Sequence, residues 1–404
     1  MRILFLHNNF PAQFKYVAAA MGRDPEHEVV FGTTRKDGEL EGVRRVVHRA
    51  GRSIHPKTHH YLRPMEKAVI HGEAVYRMCE NLEKEGFIPD VVYGHSGWGP
   101  TLFVKDYFPE VKVLSYFEWF YRAVDSDVDF DPEVEHTPDD IARIRMKNGP
   151  ILLDLEQCER GIAPTRWQRD QFPSEWKPKI DLVHDGFDTD FCRPDPGAKL
   201  KLPGIKLDLS HAGELVTYCA WGMEPYRGFP QFIRAVGILQ KKRPNLHAVV
   251  IGRDRVAYGR KRGDGKTYKQ EMLENTELDL RRLHFTEMLP YPAFVKVLQA
   301  SSVHVYLTRP FILSWSMMEA MSTGCALVAS DTEPVREMVT DEETGLLVDF
   351  FDHEALAERI EEALDNKEKM EPLRRNARQF IIENYSRKEW VPKHIEWIRK
   401  WGER

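Results

Sequence analysis

Short apolar runs, each followed by a longer amphipathic stretch, recur through both halves of this 404-residue chain, and that rhythm limits its fold more than any other feature. In the first half the runs are Arg2 to His7, Glu28 to Phe31, Val91 to Tyr93, Val111 to Tyr116, Arg160 to Pro164 and Ile180 to His184. After a linker-like interval with Asp195-Pro-Gly and Leu202-Pro-Gly, the pattern restarts. Its runs are then Leu215 to Cys219, Ala248 to Gly252, Leu283 to Thr286, Val303 to Leu307, Ala326 to Ser330 and Gly345 to Val348. Helical stretches such as Pro230 to Lys241, Pro292 to Ala300 and Glu354 to Leu364 lie between them. Alternation of this kind predicts parallel strands with helical crossovers. The length, about 2.7 times a ~150-residue domain, predicts two domains. In such sheets ligands sit beyond the carboxyl ends of the strands, and a cleft between two domains is an expected small-molecule site.

Charge and cysteine usage remove several function classes. The net charge is -5, whereas a nucleic-acid binder shows a strongly basic balance, so nucleic acid is not an expected partner. Cys79, Cys158, Cys192, Cys219 and Cys325 are scattered singly with no CxxC pair, which suits a reducing compartment better than a disulfide framework or zinc site. Mean hydropathy is -0.50, and no uncharged apolar stretch approaches the ~20 residues of a bilayer span. The apolar run before His7-Asn8-Asn9, Ile3 to Leu6, is only four residues long, fewer than the ~7 to 15 of a signal-peptide core, so the start reads as a buried strand. The expected location is cytoplasmic. The run holding Arg44, Arg45, Arg49, Arg52, Lys57 and Arg63, with His55, His59 and His60, reads as a solvated loop or as a contact for an anionic acceptor or the inner membrane face. Asp125, Asp127, Asp129 and Asp131 invite a calcium reading. Position 6 of that spacing is Phe130 and position 12 is His136, where an EF-hand needs glycine and glutamate, so no metal is expected.

The segment from Pro310 to Asp331, PFILSWSMMEAMSTGCALVASD, carries the most chemistry. A strand ends near Leu307, a loop runs to about Ser314, and a helix carries Glu319 before Gly324 stops it. A loop that opens a helix offers free N–H groups and a favourable dipole, which suits a diphosphate. Glu319 also has a plainer reading, because Ser316-Met-Met-Glu319 is a capping-box pattern.

This segment resembles the signature of retaining glycosyltransferase family 4, roughly E-G-F-G-x-x-x-x-E-A-M-A-x-G-x-P-V-V-A-S. Glu319 matches the second glutamate, and Ala320-Met321, Gly324 and the strand to Ser330 match the later positions of the signature. Phe311 stands in the place of the first glutamate, and Ile312 and Ser314 replace loop glycines. The resemblance continues in Val183 to Pro194, in Thr344-Gly345-Leu-Leu-Val348, and in Asn384-Tyr385-Ser386 with the helix bearing Trp390, Trp397 and Trp401. Those tryptophans share one helical face and read as core packing. The resemblance implies an α/β, GT-B fold of two Rossmann-like domains facing a central cleft. Residues 1–190 would form an N-terminal acceptor-side domain, 191–384 a nucleotide-sugar-binding domain, and 385–404 a helix packing back on the first.

The resemblance also implies roles. Glu319 would hydrogen-bond the donor's ribose, and Arg227 would neutralise its diphosphate without a metal, an ordinary surface salt bridge being the alternative. Arg253 is a second phosphate candidate, and the helix entry Ser314, Trp315 and Ser316 would complete that site. Met288 and Leu289 stand where the nucleobase meets the backbone. His95, in Gly94-His95-Ser96-Gly97-Trp98-Gly99, reads as an exposed polar group approaching the transferred sugar, so the catalytic set is His95, Arg227 and Glu319. Asn9, Phe10 and Glu118 fall on the acceptor side, Glu118 being equally readable as a helix-start acid. The implied function is retaining transfer from a UDP- or GDP-linked sugar to a glycan, glycolipid or other hydroxyl acceptor in bacterial polysaccharide, glycolipid or glycoconjugate synthesis. No separate cofactor is expected. Two readings stay open beside it: a noncatalytic nucleotide-sugar or glycan-binding protein, and a transferase acting on a modified nucleic-acid base.

Overall fold

The computed structural model describes residues 1–403, apart from the Pro203 side chain; residue 404, the last of the predicted 385–404 segment, lies outside the described residues. The chain forms two compact units. One is Met1–Gly186 together with Arg387–Arg404, the other Phe187–Ser386.

The first unit is built on seven parallel strands: β1 (Arg2–Leu6), β2 (Glu28–Thr33), β3 (Val43–Val47), β4 (Val91–His95), β5 (Lys112–Tyr116), β6 (Arg160–Ala163) and β7 (Ile180–Leu182), in the order β3-β2-β1-β4-β5-β6-β7. Ile3, Leu4, Phe5 and Leu6 of β1 are fully buried, as expected of a strand covered on both faces. One face packs on helices Arg63–Lys84 and Gly149–Gln157 through Val75, Met78, Leu82, Ile151 and Leu155. The other packs on helices Lys15–Gly22 and Arg387–Gly402 through Val17, Met21, Trp397 and Ile398. The last of these helices is also held by polar contacts. Trp397 Nε1 donates to Asp181 Oδ2 at 2.8 Å, and His394 Nε2 is hydrogen-bonded to the Tyr93 hydroxyl at 2.8 Å.

The basic run read as a loop in fact begins inside β3. Val43-Arg-Arg-Val-Val hides its alternation behind two arginines, and an edge strand accommodates such charges where a central one does not. Arg44 pairs with Glu85 at 2.6 Å, and Arg45 lies over the Phe10 ring.

The second unit has a two-stranded antiparallel pair, β8 (Lys201–Leu202) and β9 (Leu207–Asp208), in the interval read as linker. Its main sheet is six-stranded and parallel: β10 (Glu214–Gly222), β11 (Leu246–Arg253), β12 (Leu283–Phe285), β13 (Val303–Tyr306), β14 (Ala326–Ser330) and β15 (Leu346–Val348), ordered β12-β11-β10-β13-β14-β15. Each sheet reverses its strand order once, between β1 and β4 and between β10 and β13. Adjacent crossovers there run to opposite faces, which opens a crevice at the strands' carboxyl ends.

Close backbone approach at those ends relies on glycine. Gly252 has φ +152°, and a Cβ there would lie 2.1 Å from the Ala220 carbonyl oxygen of β10. Gly252→Ala should therefore cost about 1–3 kcal/mol, seen as a lower denaturant midpoint with an unchanged slope.

Candidate functional site

At the β10/β13 reversal, the loop leaving β13 enters helix Trp315–Ser322. Ser314 is its N-cap: Oγ accepts the Ser316 N–H at 3.4 Å, and the Ser314 N–H donates to the Tyr306 hydroxyl at 2.7 Å. The helix thus starts ahead of the capping box read at Ser316–Glu319. Glu319 lies in its second turn and cannot cap its start. The Glu319 carboxylate is 5% exposed and is hydrogen-bonded by the Tyr291 hydroxyl. Burial first, and then the Glu319 charge, hold that hydroxyl protonated far above its ordinary range. Ser316 is buried, and Trp315 is partly exposed with its ring edge-on to Phe187 at 6.1 Å.

Arg227 is 5% exposed and forms no ion pair among the described residues, so the surface salt-bridge alternative does not hold. Its Nη1 donates to Thr308 Oγ1 at 2.6 Å and to the Tyr306 hydroxyl at 3.3 Å, and its Nη2 donates to the Ile312 carbonyl at 2.8 Å. The guanidinium lies 5.2 Å from the Tyr258 ring and 5.7 Å from the Phe311 ring. Arg227 thereby ties the loop after β13 to the turn after β10. Phe311, in the place of the missing glutamate, is buried between Tyr226 at 5.3 Å and Tyr258 at 5.4 Å. At the end of β11, Arg253 is exposed and its side chain has no hydrogen bond or ion pair among the described residues. The Gly252 N–H donates to the Glu287 carbonyl at 3.2 Å, which brings the segment holding half-buried Met288 and Leu289 beside Arg253.

At the β1/β4 reversal, the His7 and His95 rings meet edge to face at 4.7 Å. His95 is 2% exposed, so the exposed imidazole expected from its flanking glycines is not what forms: the ring stacks on Tyr116 at 5.4 Å. Its Nδ1 donates to the Ser96 carbonyl at 2.9 Å, and its Nε2 lies 3.4 Å from Glu118 Oε2. Glu118 Oε1 accepts from Gln13 Nε2 at 2.8 Å. Glu118 starts no helix, since the next one begins at Pro138, so the helix-start reading falls. Burial, reinforced by His95, pulls His7 well below the imidazole range, and its Nδ1 accepts the N–H of exposed Asn9 at 2.8 Å. Phe10 instead packs on Phe31 at 4.9 Å. The His95 loop is anchored by fully buried Asp154, which accepts from Thr101 Oγ1 (2.6 Å), Ser96 Oγ (2.8 Å), the Gly97 N–H (2.9 Å) and Gln157 Nε2 (3.1 Å).

The structure thus groups Arg227 with the Ser314–Ser316 helix entry, Arg253 with Met288 and Leu289, and His95 with Glu118. The alternating aspartates organise their own loop, in which Asp129 accepts the N–H groups of Asp125 and Ser126, at 2.8 and 3.0 Å. Among the described residues no group of three or more His, Cys, Asp or Glu is placed to hold a metal ion. Tyr258, Tyr291, Tyr306, Thr308, Gln13 and Asp154 are participants that sequence reasoning did not single out. Only Gln13 carried a signal, lying in the His7–Phe14 loop beside Asn9 and Phe10.

Behind His95, the Tyr116 hydroxyl donates to Asp185 Oδ2 at 3.1 Å, and burial raises the Asp185 carboxyl to about 8. A raised folded-state pKa stabilises the protein below the unfolded value near 4, and that stability is lost as pH climbs toward 8. Asp185→Asn should accordingly raise Tm over the parent chain more at pH 8 than at pH 5 in scanning calorimetry.

Residues 25–192 match the model of the glycosyl transferase family 4 group, and residues 212–380 match that of glycosyl transferases group 1. The D-inositol 3-phosphate glycosyltransferase of Corynebacterium efficiens is 26% identical over 195 residues, 47% of this chain and 44% of that protein. An uncharacterised glycosyltransferase of Methanocaldococcus jannaschii is 27% identical over 113 residues, 28% of this chain and 29% of that one. The matched stretches therefore span less than half of these relatives. Among solved structures, Anabaena Alr3699/HepE in complex with UDP-glucose aligns with TM-score 0.71 at 15% identity, covering 99% of this chain and 100% of that one. Sucrose-phosphate synthase from Thermosynechococcus elongatus aligns with TM-score 0.70 at 15% identity, covering 99% and 98%. At such identity the likeness is one of fold, two Rossmann-like parallel sheets of the GT-B type. No helix among the described residues is long and apolar enough to cross a membrane. The two models together take in most of the sequence, and the chain belongs to the group 1 glycosyltransferases.

Proposed function

We propose that the protein transfers a sugar, with retention of configuration, from a UDP- or GDP-linked donor to an acceptor hydroxyl, in the cytoplasm and in glycan, glycolipid or glycoconjugate synthesis. The Ser314–Ser316 helix entry and Arg253 take the diphosphate, Glu319 the ribose, and the backbone at Met288 and Leu289 the nucleobase. Arg227 shapes the loop that offers those amides and lends it positive charge. In the reaction the bond from the anomeric carbon to the diphosphate oxygen breaks, and the acceptor oxygen bonds the same carbon. The acceptor's proton leaves with the departing nucleotide. Donors fixed in advance toward the diphosphate stabilise its growing charge. His95 and Glu118 serve the sugar and acceptor side on the first unit. All five cysteines are thiols, in keeping with a reducing compartment.

The observation that carries this reading is the buried carboxylate of Glu319, held at the carboxyl-end reversal of a Rossmann-like sheet. An ionised carboxylate only accepts, at about four lone-pair positions, so the bond from Tyr291 is compatible with a pair of neighbouring hydroxyls. Phe311 motivates a second reading. Where the family signature has an acid, this chain has a ring closed in by Tyr226 and Tyr258, which favours a nucleotide-sugar-binding protein without transfer.

A thermal-shift screen with UDP, GDP, ADP and their sugars should find one stabilising nucleotide. Loss of charge-assisted hydrogen bonds worth ~1.5–3 kcal/mol should make Glu319→Ala bind that donor about 10- to 100-fold more weakly in calorimetry. Unchanged affinity would remove Glu319 from the site. Binding without hydrolysis or transfer of any donor sugar would select the second reading.

A further inference from the structure

A second group of side chains at the carboxyl end of the first sheet is left idle by the reading above. His48 follows β3, its N–H donating to the Thr33 carbonyl at 2.9 Å. Its ring is 3% exposed, and neither nitrogen has a partner among the described residues. The His71 ring, on helix Arg63–Lys84, meets it edge to face at 6.3 Å, and His71 Nδ1 is likewise buried without a partner. One helical turn earlier, Lys67 Nζ lies 5.5 Å from the Trp98 ring, which is 42% exposed. Trp98 is 6.5 Å from the His95 ring, and His95 is 4.7 Å from His7. Next to His7, the Asn8 carbonyl accepts from Thr33 Oγ1 at 3.1 Å, while Asn8 Oδ1 is buried and unpartnered.

These contacts close on themselves, from His95 through His7, Asn8, Thr33, His48, His71, Lys67 and Trp98 back to His95. The ring carries several buried polar atoms with nothing to bond, an arrangement that is costly unless a ligand or water completes it. Burial first, and then His71, bring the His48 imidazole to about 4, so at neutral pH it is uncharged and offers one donor and one acceptor. The partly exposed Trp98 face is suited to the C–H face of a sugar or polyol. Glu118, the acid beside His95, is engaged by His95 and Gln13. Lys67, and Arg35 and Arg49 just beyond Thr34 and His48, have no ion pair among the described residues, whereas the nearby acid Glu66 is occupied by Arg52 and Thr58.

Resting on the transferase reading and extending it, we propose that this ring is the acceptor site, and that the acceptor is a sugar or polyol bearing an anionic group. The ring or polyol face lies on Trp98, the anion meets Lys67, and the free imidazole and amide atoms of His48, His71 and Asn8 bind hydroxyls.

The test is calorimetric titration of the intact chain, with and without UDP, using glucose 6-phosphate, glucuronate, glucose and inorganic phosphate, alongside tryptophan fluorescence. At least one anionic sugar should bind about tenfold or more tightly than glucose and perturb the fluorescence. Lys67→Met should erase that preference, Trp98→Ala should weaken anionic sugar and glucose alike, and Lys84→Met, on the same helix, should change neither. Glucose binding as well as its anionic counterparts would overturn the proposal, and so would a preference that survives Lys67→Met. Inorganic phosphate matching the sugar phosphate would also overturn it, by showing an anion site alone. Because binding is read without turnover, a failure of every donor to be hydrolysed would strike the transferase reading and leave this result standing by itself.

Discussion

A parallel sheet sends every strand's carboxyl end to the same side, and where strand order reverses the crossovers part and leave backbone uncovered there. In this protein the reversals fall between β1 and β4 and between β10 and β13. His7 and His95 lie at the first, and the turn holding Arg227 and the loop leading to Ser314 lie at the second. Much of each sheet is apolar, with β1 and β14 buried along almost their whole length. It is at the ends that donors and acceptors can be left for a ligand.

Buried charges at these ends hold loops in place. Asp154 gathers four donors around the loop that carries His95. Fully buried Glu224 does the same for the segment after β11, accepting the N–H groups of Ala257, Tyr258 and Gly259 at 2.7, 2.9 and 2.7 Å. That fixes Tyr258 where it can cover Arg227, whose guanidinium in turn grips Thr308 and Ile312. Each charge would be expensive to bury alone, and each is matched by directed hydrogen bonds: backbone N–H groups for Glu224, mostly side-chain donors for Asp154, and two hydroxyls with one carbonyl as acceptors for Arg227. The Glu224–Tyr258–Arg227–Ile312 chain links three loops across β11, β10 and β13. It also accounts for Phe311, which completes an aromatic cover over the same guanidinium.

The strands were largely legible because a buried strand advertises itself as an apolar run. All six strands of the second sheet lie at the places their sequence pattern predicts, while β3 was concealed by Arg44 and Arg45, which an edge position tolerates. Motif spacing brought out Glu319 and the helix entry near Ser314. It did not show that Ser314 rather than Ser316 caps the helix, because serines two positions apart are equally good caps and the choice was made by the Tyr306 hydroxyl, which holds the Ser314 N–H.

The sequence by itself thus determined two α/β units, their parallel strands, and the loop that enters a helix near Ser314, since periodicity and local turn chemistry are properties of neighbours along the chain. Only the tertiary structure decided that His95 is buried against Tyr116, that Arg227 is enclosed by Tyr258 and Phe311, and that His48, His71, Lys67 and Trp98 share one ring of contacts with His7 and Asn8. Most of those partners lie tens of residues apart. Burial and hydrogen bonding between them depend on which strands become neighbours, and no local pattern encodes that.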